Sequence, residues 1–440
     1  MSFDIIILTN GPGELSAWVK PVVRKLLEVV PSCRIIIALL PCPYASNEEY
    51  KVAEKIPGVS YVFNDTETSF FVLLNKLPNN FYFQESGIIL QLGGDQFFSV
   101  LFKWRTKFPT LVYTEKNIFW ASIIDKFLVP DKNTYIAARM NNISSDRLSL
   151  VGNLMVDAAQ SKMNPIEIRE RLGLSPQFPI VSLLPGSKPF KVKYSTSFLL
   201  KIADDIFSKR PDIQFIIPQS PYTPLYQIVA SVTDDKYINV LGGVSAKFGQ
   251  DKHGNILLTD AGTLVNIIPS DFQYEAFQIS DVAITLPGTN TAELAVLGIP
   301  MITIFPTKKL DHIPIDGLLG RISDLPVLNK ILKPFIIKKS IQKIKFISIP
   351  NQKAGYSITP EFVGNISTSD IADKAIEIID NYEKRRNISM ELRKVIGTGG
   401  ADINIVDNIL DCLFLNYPDI EILKTTNNFS DWTKKNPDND

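Results

Sequence analysis

The feature that most constrains this chain is an alternation. Short runs of β-branched and aliphatic residues recur between longer stretches of helical period. Residues 4–8 (DIIIL), 34–40 (RIIIALL), 87–92 (GIILQL), 110–113 and 126–129 form a first series, with a helix expected over about 15–30. These runs do not alternate polar with apolar, so each strand should be covered on both faces. Such strands pair in parallel, and a parallel neighbour requires a crossover, which the intervening helices supply. A second series begins after Val151-Gly152-Asn153. Its strands are 179–184 (PIVSLL), 213–217 (IQFII), 282–286 (VAITL) and 300–305 (PMITIF), with helices expected near 195–207, 289–296 and 371–382. Lys252-His253-Gly254-Asn255, between Phe248 and Leu257, predicts a hairpin turn inserted in this half.

The expected fold class is therefore α/β, with two Rossmann-like doubly wound parallel-sheet domains facing a cleft. A chain of 440 residues is too long for one ordinary core. The expected division is an N-terminal domain over 1–152, a second over 153–398, a helix over 399–420 returning to the first, and a polar tail over 421–440. Hydrophobic residues are 45% and charged residues 21%, enough apolar surface to fill two cores.

Composition also removes functions. The formal net charge is zero, which argues against a nucleic-acid binder working through bulk charge. Cys33, Cys42 and Cys412 are too scattered for a disulfide framework or a zinc site. His253 and His312 are the only histidines, so a general base is expected to be a carboxylate. The chain runs from Met1 straight into its first strand without a visible signal peptide. No stretch reaches the roughly 18 apolar residues of a spanning helix. A cytoplasmic place, on or near the cytoplasmic face of a membrane, is expected.

Four turns at strand ends carry the chemistry. Asn10-Gly11-Pro12-Gly13-Glu14-Leu15-Ser16 half-matches a dinucleotide fingerprint, but Glu14 at the helix start would repel a pyrophosphate. It reads either as a tight turn with a helix-stabilising acid or as a carboxylate for sugar hydroxyls. Leu92-Gly93-Gly94-Asp95 ends another first-domain strand, where Asp95 is either a helix cap or a ligand-edge carboxylate. In the second series, Leu184-Pro185-Gly186-Ser187-Lys188 offers backbone amides and a cation to an anion. Pro287-Gly288-Thr289-Asn290-Thr291-Ala292-Glu293 opens a helix, so its free amides suit a diphosphate and Glu293 a ribose diol. No stretch spells a P-loop, and the only D-x-D is Asp438-Asn439-Asp440 in the tail.

Two patches mix apolar and basic residues. Phe97, Phe98, Leu101, Phe102, Trp104 and Phe108 interleave with Lys103, Arg105 and Lys107. A second region, 318–345, sets Lys330, Lys333, Lys338, Lys339, Lys343 and Lys345 among apolar residues. Each is either an amphipathic core helix or a surface for a bilayer or an acylated ligand.

These motifs, in this order, resemble those of the lipid-A-disaccharide synthases, which are inverting GT-B glycosyltransferases. The resemblance covers roughly 5–415. Gly13-Glu14-Leu15-Ser16 resembles the family's opening GE-x-S-G-D, and Gly94-Asp95 falls near its catalytic aspartate. Val151-Gly152-Asn153-Leu154-Met155-Val156-Asp157 resembles V-G-H-P-x-x-D. Leu184 to Lys188 resembles L-P-G-S-R, Pro287 to Glu293 resembles S-G-T-x-x-x-E, and Ile349-Pro350-Asn351 with Pro360-Glu361 resembles L-P-N and the acid beyond it. Lys188 replaces an arginine, Ala17 and Trp18 replace glycine and aspartate, and 244–270 is longer than the family's.

The resemblance implies transfer of an acylated glucosamine from a UDP-sugar to an acylated sugar or glycolipid, with inversion and with neither metal nor other cofactor. Asp95 and Glu14 would be the catalytic pair. Gly186, Ser187, Lys188, Gly288, Thr289, Asn290, Glu293 and Asn351 would hold UDP. Ser16, Phe97, Phe98, Phe102, Trp104 and Arg105 would meet the acceptor or the membrane. A monomer and a homodimer both remain open. So do a different glycolipid acceptor, a UDP-sugar 2-epimerase and a non-catalytic nucleotide-sugar binder.

Overall fold

The computed structural model describes residues 3–41, 48–115, 117–161, 163–307 and 345–419. The region 318–345 therefore lies, except for Lys345, outside the described residues, as do Cys42, His312 and the polar tail. The chain divides into two compact units, Met1–Ala158 with the segment from Thr398 onward, and Ala159–Gly397.

The first unit is built on a seven-stranded sheet of β1 (Asp4–Thr9), β2 (Arg34–Leu39), β3 (Val59–Phe63), β4 (Gly87–Gln91), β5 (Thr110–Tyr113), β6 (Lys126–Val129) and β7 (Leu148–Leu150). The order is β3-β2-β1-β4-β5-β6-β7, and every pair is parallel. All six residues of β1 and all five of β4 are buried, as the unbroken apolar runs require. The one acid in β1, buried Asp4, takes two hydrogen bonds from the Arg34 guanidinium, at 2.7 and 2.8 Å, and a third from the Gln84 amide. A charge can be buried there because its lone pairs are filled.

The second unit carries β8 (Ile180–Leu184), β9 (Gln214–Pro218), β10 (Ala246–Asp251), β11 (Gly254–Thr259), β12 (Leu264–Ile268), β13 (Val282–Thr285), β14 (Met301–Pro306) and β15 (Glu361–Gly364). Their order is β10-β11-β12-β9-β8-β13-β14-β15. Alternate residues of one strand enter different cores. Val181, Leu183, Phe215 and Ile217 join one cluster, while Ile180 and Ile216 join another. Both faces are thus covered, and the doubly wound reading holds for this unit as for the first. The expected hairpin turn is present between β10 and β11, but it belongs to a larger antiparallel addition. β11 also pairs with β12, which joins the sheet parallel to β9.

Two helix starts differ from expectation. The first helical segment begins at Pro12 and passes through a π-helical turn, Leu15–Val19, before continuing as Lys20–Val29. The long helix expected from about 195 begins at Pro189 and runs to Lys209. Proline suits the first helical position, where its missing N–H has no partner to lose.

The V-G-N-x-x-x-D segment works as a latch within the first unit. Asp157 is buried, and its carboxylate accepts from the amides of Gly400, at 2.6 Å, and Asp402, at 2.9 Å. It thereby fills donors at the start of the C-terminal helix Ala401–Asn416, while Asn153 donates its amide to Thr398. The Asp157 pKa is raised, first by burial, but the carboxylate still faces a helix start that favours its charge. Asp157→Ala leaves two amides unfilled and should destabilise the unit by about 2–4 kcal/mol. Urea unfolding measures this, and an unchanged midpoint would show that the latch contributes nothing.

Candidate functional site

Each unit has a place where strand order reverses. In the first sheet, β2 and β3 lie to one side of β1, and β4 begins the other side. In the second, β9 lies to one side of β8 and β13 to the other. Loops leaving such neighbouring strands part in opposite directions and leave a crevice at the carboxyl edge, which is where open α/β sheets take ligands. The four sequence motifs fall on these four loops, two per unit.

In the first unit, the turns after β1 and β4 are fitted to Glu14. A Cβ on Gly11 would overlap the Glu14 carboxylate, and one on Gly93 would lie 2.6 Å from Glu14 Cγ. Gly93 and Gly94 have φ of +112° and +78°, a conformation that side chains rarely adopt. The structure thus brings Glu14 and the Gly93-Gly94-Asp95 turn together, with the Glu14 stem in the slot that two glycines leave open. Gln91, buried at the end of β4, donates from Nε2 to the carbonyls of Gly93 and Gly94 at 3.1 and 3.2 Å. Sequence reasoning missed this brace. Its only signal was a polar residue inside the apolar run GIILQL.

Asp95 is exposed, and its Oδ1 accepts from the Phe97 amide at 2.9 Å at the start of the helix Phe97–Thr106. Asp95 thus fills the first amide of that helix from the residue before its N-cap, Gln96, and its side chain remains exposed. Ser16 is half-buried within the π-helical turn. The same turn holds Trp18, whose ring meets Tyr113 edge-on at 5.2 Å.

The aromatic patch divides between core and surface. Phe102 is wholly buried and packs with Phe71 and Phe108, so its assignment to the membrane or acceptor is corrected. Phe98, half-buried, packs against the same core. Phe97 and Trp104 are exposed, Trp104 by 62%, and Phe97 stacks on exposed Trp120 at 5.2 Å. Leu73, Leu74 and Phe119 are exposed as well. Arg105 donates to the carbonyls of Val72 and Leu73, holding the Trp104 helix to the end of the neighbouring helix. Its side chain is thus a strut whose hydrogen bonds stay within the unit.

In the second unit, β8 and β13 are parallel neighbours in register from Val181–Val282 to Leu184–Thr285. Two glycine-hinged turns and two helix starts therefore stand side by side. Gly186 has φ +91°. Gly288, the N-cap of the helix Thr289–Leu297, has φ +154° and ψ −170°, a region essentially reserved for glycine. Ser187 and Lys188 complete the first turn, and Thr289 and Asn290 begin the second helix, all half-buried. Glu293 is buried one turn further along, and its Oε1 accepts from the Tyr274 hydroxyl at 3.1 Å. Burial, with Glu293 beside it, pushes the Tyr274 hydroxyl well above its ordinary pKa, so it remains a donor.

Asn351 is not available to a nucleotide. It is fully buried, its Nδ2 donates to Thr359 O and Glu361 Oε1, and its Oδ1 accepts from the amides of Ile358 and Thr359. With both hydrogens and both lone pairs used, its assignment to UDP is corrected.

Lys191, which the sequence reasoning passed over, lies between the two turns. It is in the first turn of the helix Pro189–Lys209, and its Nζ donates to Pro287 O at 2.6 Å. A Cβ on Gly186 would lie 3.1 Å from its Cδ, and one on Gly288 would lie 3.3 Å from its Nζ. Each turn is glycine where the lysine passes it.

No protein-family model matches the chain. Over 270 residues, 60% of this chain, it is 25% identical to the lipid-A-disaccharide synthase of Geobacter sulfurreducens, and that match spans 57% of the relative. Over 264 residues it is 23% identical to the lipid-A-disaccharide synthase of Persephonella marina, again across 57% of it. The chain thus spans little more than half the length of the curated relatives it matches. Among solved structures, it is similar to the UDP-GlcNAc 2-epimerase of Neisseria meningitidis bound to UDP-GlcNAc, with a TM-score of 0.52 and 13% identity, covering 93% of this chain and 100% of that one. A second is the S. aureus MnaA–UDP co-structure, with a TM-score of 0.53 and 12% identity, covering 94% and 97%. The fold is that of the GT-B class, two Rossmann-like α/β units, and the sequence similarity is to lipid-A-disaccharide synthases.

Proposed function

We propose that this chain is a glycosyltransferase that moves a sugar, in the nearest case an acylated glucosamine, from a UDP-sugar to an acylated sugar or glycolipid acceptor with inversion. The observation that carries the reading is the pair of glycine-hinged strand-to-helix turns at the β8–β13 crevice. Amides at two helix starts suit a diphosphate, and a buried carboxylate one turn away suits a ribose. Under this reading Gly186, Ser187, Lys188, Gly288, Thr289 and Asn290 surround the diphosphate, and Glu293, held by Tyr274, takes the ribose. The first unit contributes the acceptor side through Glu14, Asp95 and Ser16. The similarity to lipid-A-disaccharide synthases supports the same assignment.

The chemistry needs three things. An acceptor hydroxyl attacks the anomeric carbon from the face opposite the diphosphate, so one base must receive its proton. The C–O bond to the diphosphate breaks, and its electron pair goes to a phosphate oxygen. Preorganised amides and cations then stabilise the charge that develops there. Asp95, exposed beside two glycines, is assigned as the base. Glu14 is assigned to bind acceptor hydroxyls, because the positive end of its own helix favours its ionised form and lowers its basicity.

A second reading, epimerisation of a UDP-sugar, follows from the fold shared with the epimerase structures. Incubation with UDP-diacylglucosamine and, separately, with UDP-GlcNAc, each with and without a diacylglucosamine 1-phosphate acceptor, separates the two. Acceptor-dependent UDP release supports transfer. Epimerised UDP-GlcNAc without acceptor supports the second reading, and neither product with any acylated acceptor would leave binding alone.

Two predictions test the roles. Asp95→Asn should lower kcat by roughly 10²–10⁴-fold with little change in donor affinity, while Glu14→Gln should mainly raise the acceptor KM. Steady-state kinetics in which Glu14→Gln loses turnover and Asp95→Asn does not would exchange the two roles. Separately, exposed Phe97, Trp104 and Trp120 are proposed to rest on the membrane interface. Their triple alanine variant should lose sedimentation with anionic liposomes and keep UDP affinity. Undiminished sedimentation would remove this surface from the proposal.

A further inference from the structure

We propose that the ammonium of Lys191 is the principal cation for the diphosphate of the nucleotide sugar, seated between the Gly186 and Gly288 turns, with Lys188 in a secondary role. This rests on the nucleotide-sugar reading above and assigns the residue that carries its charge chemistry.

Lys191 occupies a place that is unfavourable without an anion. It lies in the first turn of a 21-residue helix, where the dipole repels a cation. Its ammonium donates to the Pro287 carbonyl, and it belongs to no ion pair among the described residues. Burial, with Lys188 adding repulsion, pushes its pKa down to about 8. A partly desolvated cation beside another lysine at a helix start is costly three times over, and a bound polyanion offsets all three costs. The carbonyl of Pro287 orients Nζ and leaves its other hydrogens for phosphate oxygens.

Lys188 is at the N-cap of the same helix. Lys193, on the next turn, lies over the Tyr237 ring at 5.4 Å. Glu293 is on the helix that follows Gly288 and is bonded to Tyr274. Neither lysine can neutralise Lys191, and Glu293 does not pair with it.

In the transfer step the acceptor oxygen bonds to the anomeric carbon and the bond from that carbon to the phosphate oxygen breaks. The electron pair stays on that oxygen, and the acceptor proton goes to the carboxylate base. The new negative charge thus forms on the group that Lys191 holds, so the contact strengthens as the bond breaks.

The sign of the pH dependence follows. The protonated lysine binds, so affinity for UDP is level below about pH 8 and falls above it, by at most about tenfold per pH unit. The terminal phosphate of UDP, with a second pKa of about 6, is fully ionised in that range. The uracil N3–H, which begins to ionise at its upper end, is common to UDP and uridine, so the slope is read from the ratio of the two affinities. The test is calorimetry on the full chain with UDP and with uridine, at several pH values from about 7 to about 9.5. Lys191→Met should bind UDP about 10- to 100-fold more weakly at neutral pH, bind uridine as before, and lose the slope above pH 8. Lys191→Arg should keep UDP affinity and also lose the slope, and it remains informative if the methionine variant does not fold. The inference is overturned if Lys191→Met keeps the preference for UDP over uridine, if it loses both ligands equally, or if Lys191→Arg keeps the wild-type pH profile. A wild-type chain that does not prefer UDP to uridine would instead overturn the nucleotide-sugar reading.

Discussion

The structure depends on unfilled backbone amides at the starts of helices that follow parallel strands. A parallel sheet points its strand ends one way, and each crossover helix then begins near that edge with donors that have no intrahelical partner. The donors must meet a side chain, water or a ligand. This chain uses side chains at some starts, with Asp131 accepting from Thr134 and Asp157 from Gly400 and Asp402. At the turns after β8 and β13 it does otherwise. Lys188 and Gly288 stand at the cap positions, and neither makes a side-chain cap bond. Glycine lets the backbone turn sharply there and lets a second group come close. Helices Leu225–Thr233 and Ile349–Ala354 also begin without a side-chain cap, so what sets these two starts apart is their place at the second unit's reversal of strand order, where a ligand can fill the donors.

Much of the fold is legible in the residues because β-branched runs buried on both faces have few alternatives. What was lost was lost for identifiable reasons. Edge strands such as Val59–Phe63 and Leu148–Leu150 are only partly buried and carry no unbroken apolar run. The π-helical turn at Leu15–Val19 has no sequence signature. The helix expected near 195 begins six residues earlier, at Pro189, where proline at the first helical position is itself a start signal. That error hid Lys191. With the helix begun at Pro189, the residue falls one turn in and turns back over the preceding loop.

The candidate site was legible as loops and less so as side chains. Strand ends, glycines and helix starts are set by backbone geometry, and the four motifs occupy the four loops at the two strand-order reversals. Which way a side chain faces depends on packing. Phe98 and Phe102 are four residues apart and share the inner face of their helix, while Phe97 and Trp104, seven apart, share the outer one. Interleaved aromatic and basic residues suggested one surface, and helical spacing divides them into two.

Asn351 extends the same point from faces to networks. The segment that holds it serves the Gly288 turn from behind. Thr291 donates to the Gly288 carbonyl at 2.8 Å and accepts from the Ile349 amide at 3.1 Å, so it ties the turn to the helix Ile349–Ala354. That helix is tied in turn to Glu361, whose carboxylate takes donors from Ile347, Ser348 and Asn351, including a 2.6 Å bond from the Ser348 hydroxyl. Glu361 stands in β15, paired with β14, and β14 is paired with β13, the strand that leads into the turn. The chain of bonds therefore closes on itself, from strand through carboxylate and helix to turn. A glycine-hinged loop has little rigidity of its own, and preorganised amides are effective only if they do not move when charge develops in front of them. The segment around Asn351 can thus be tied to phosphate chemistry without touching a phosphate: its bonds fix the amides that would.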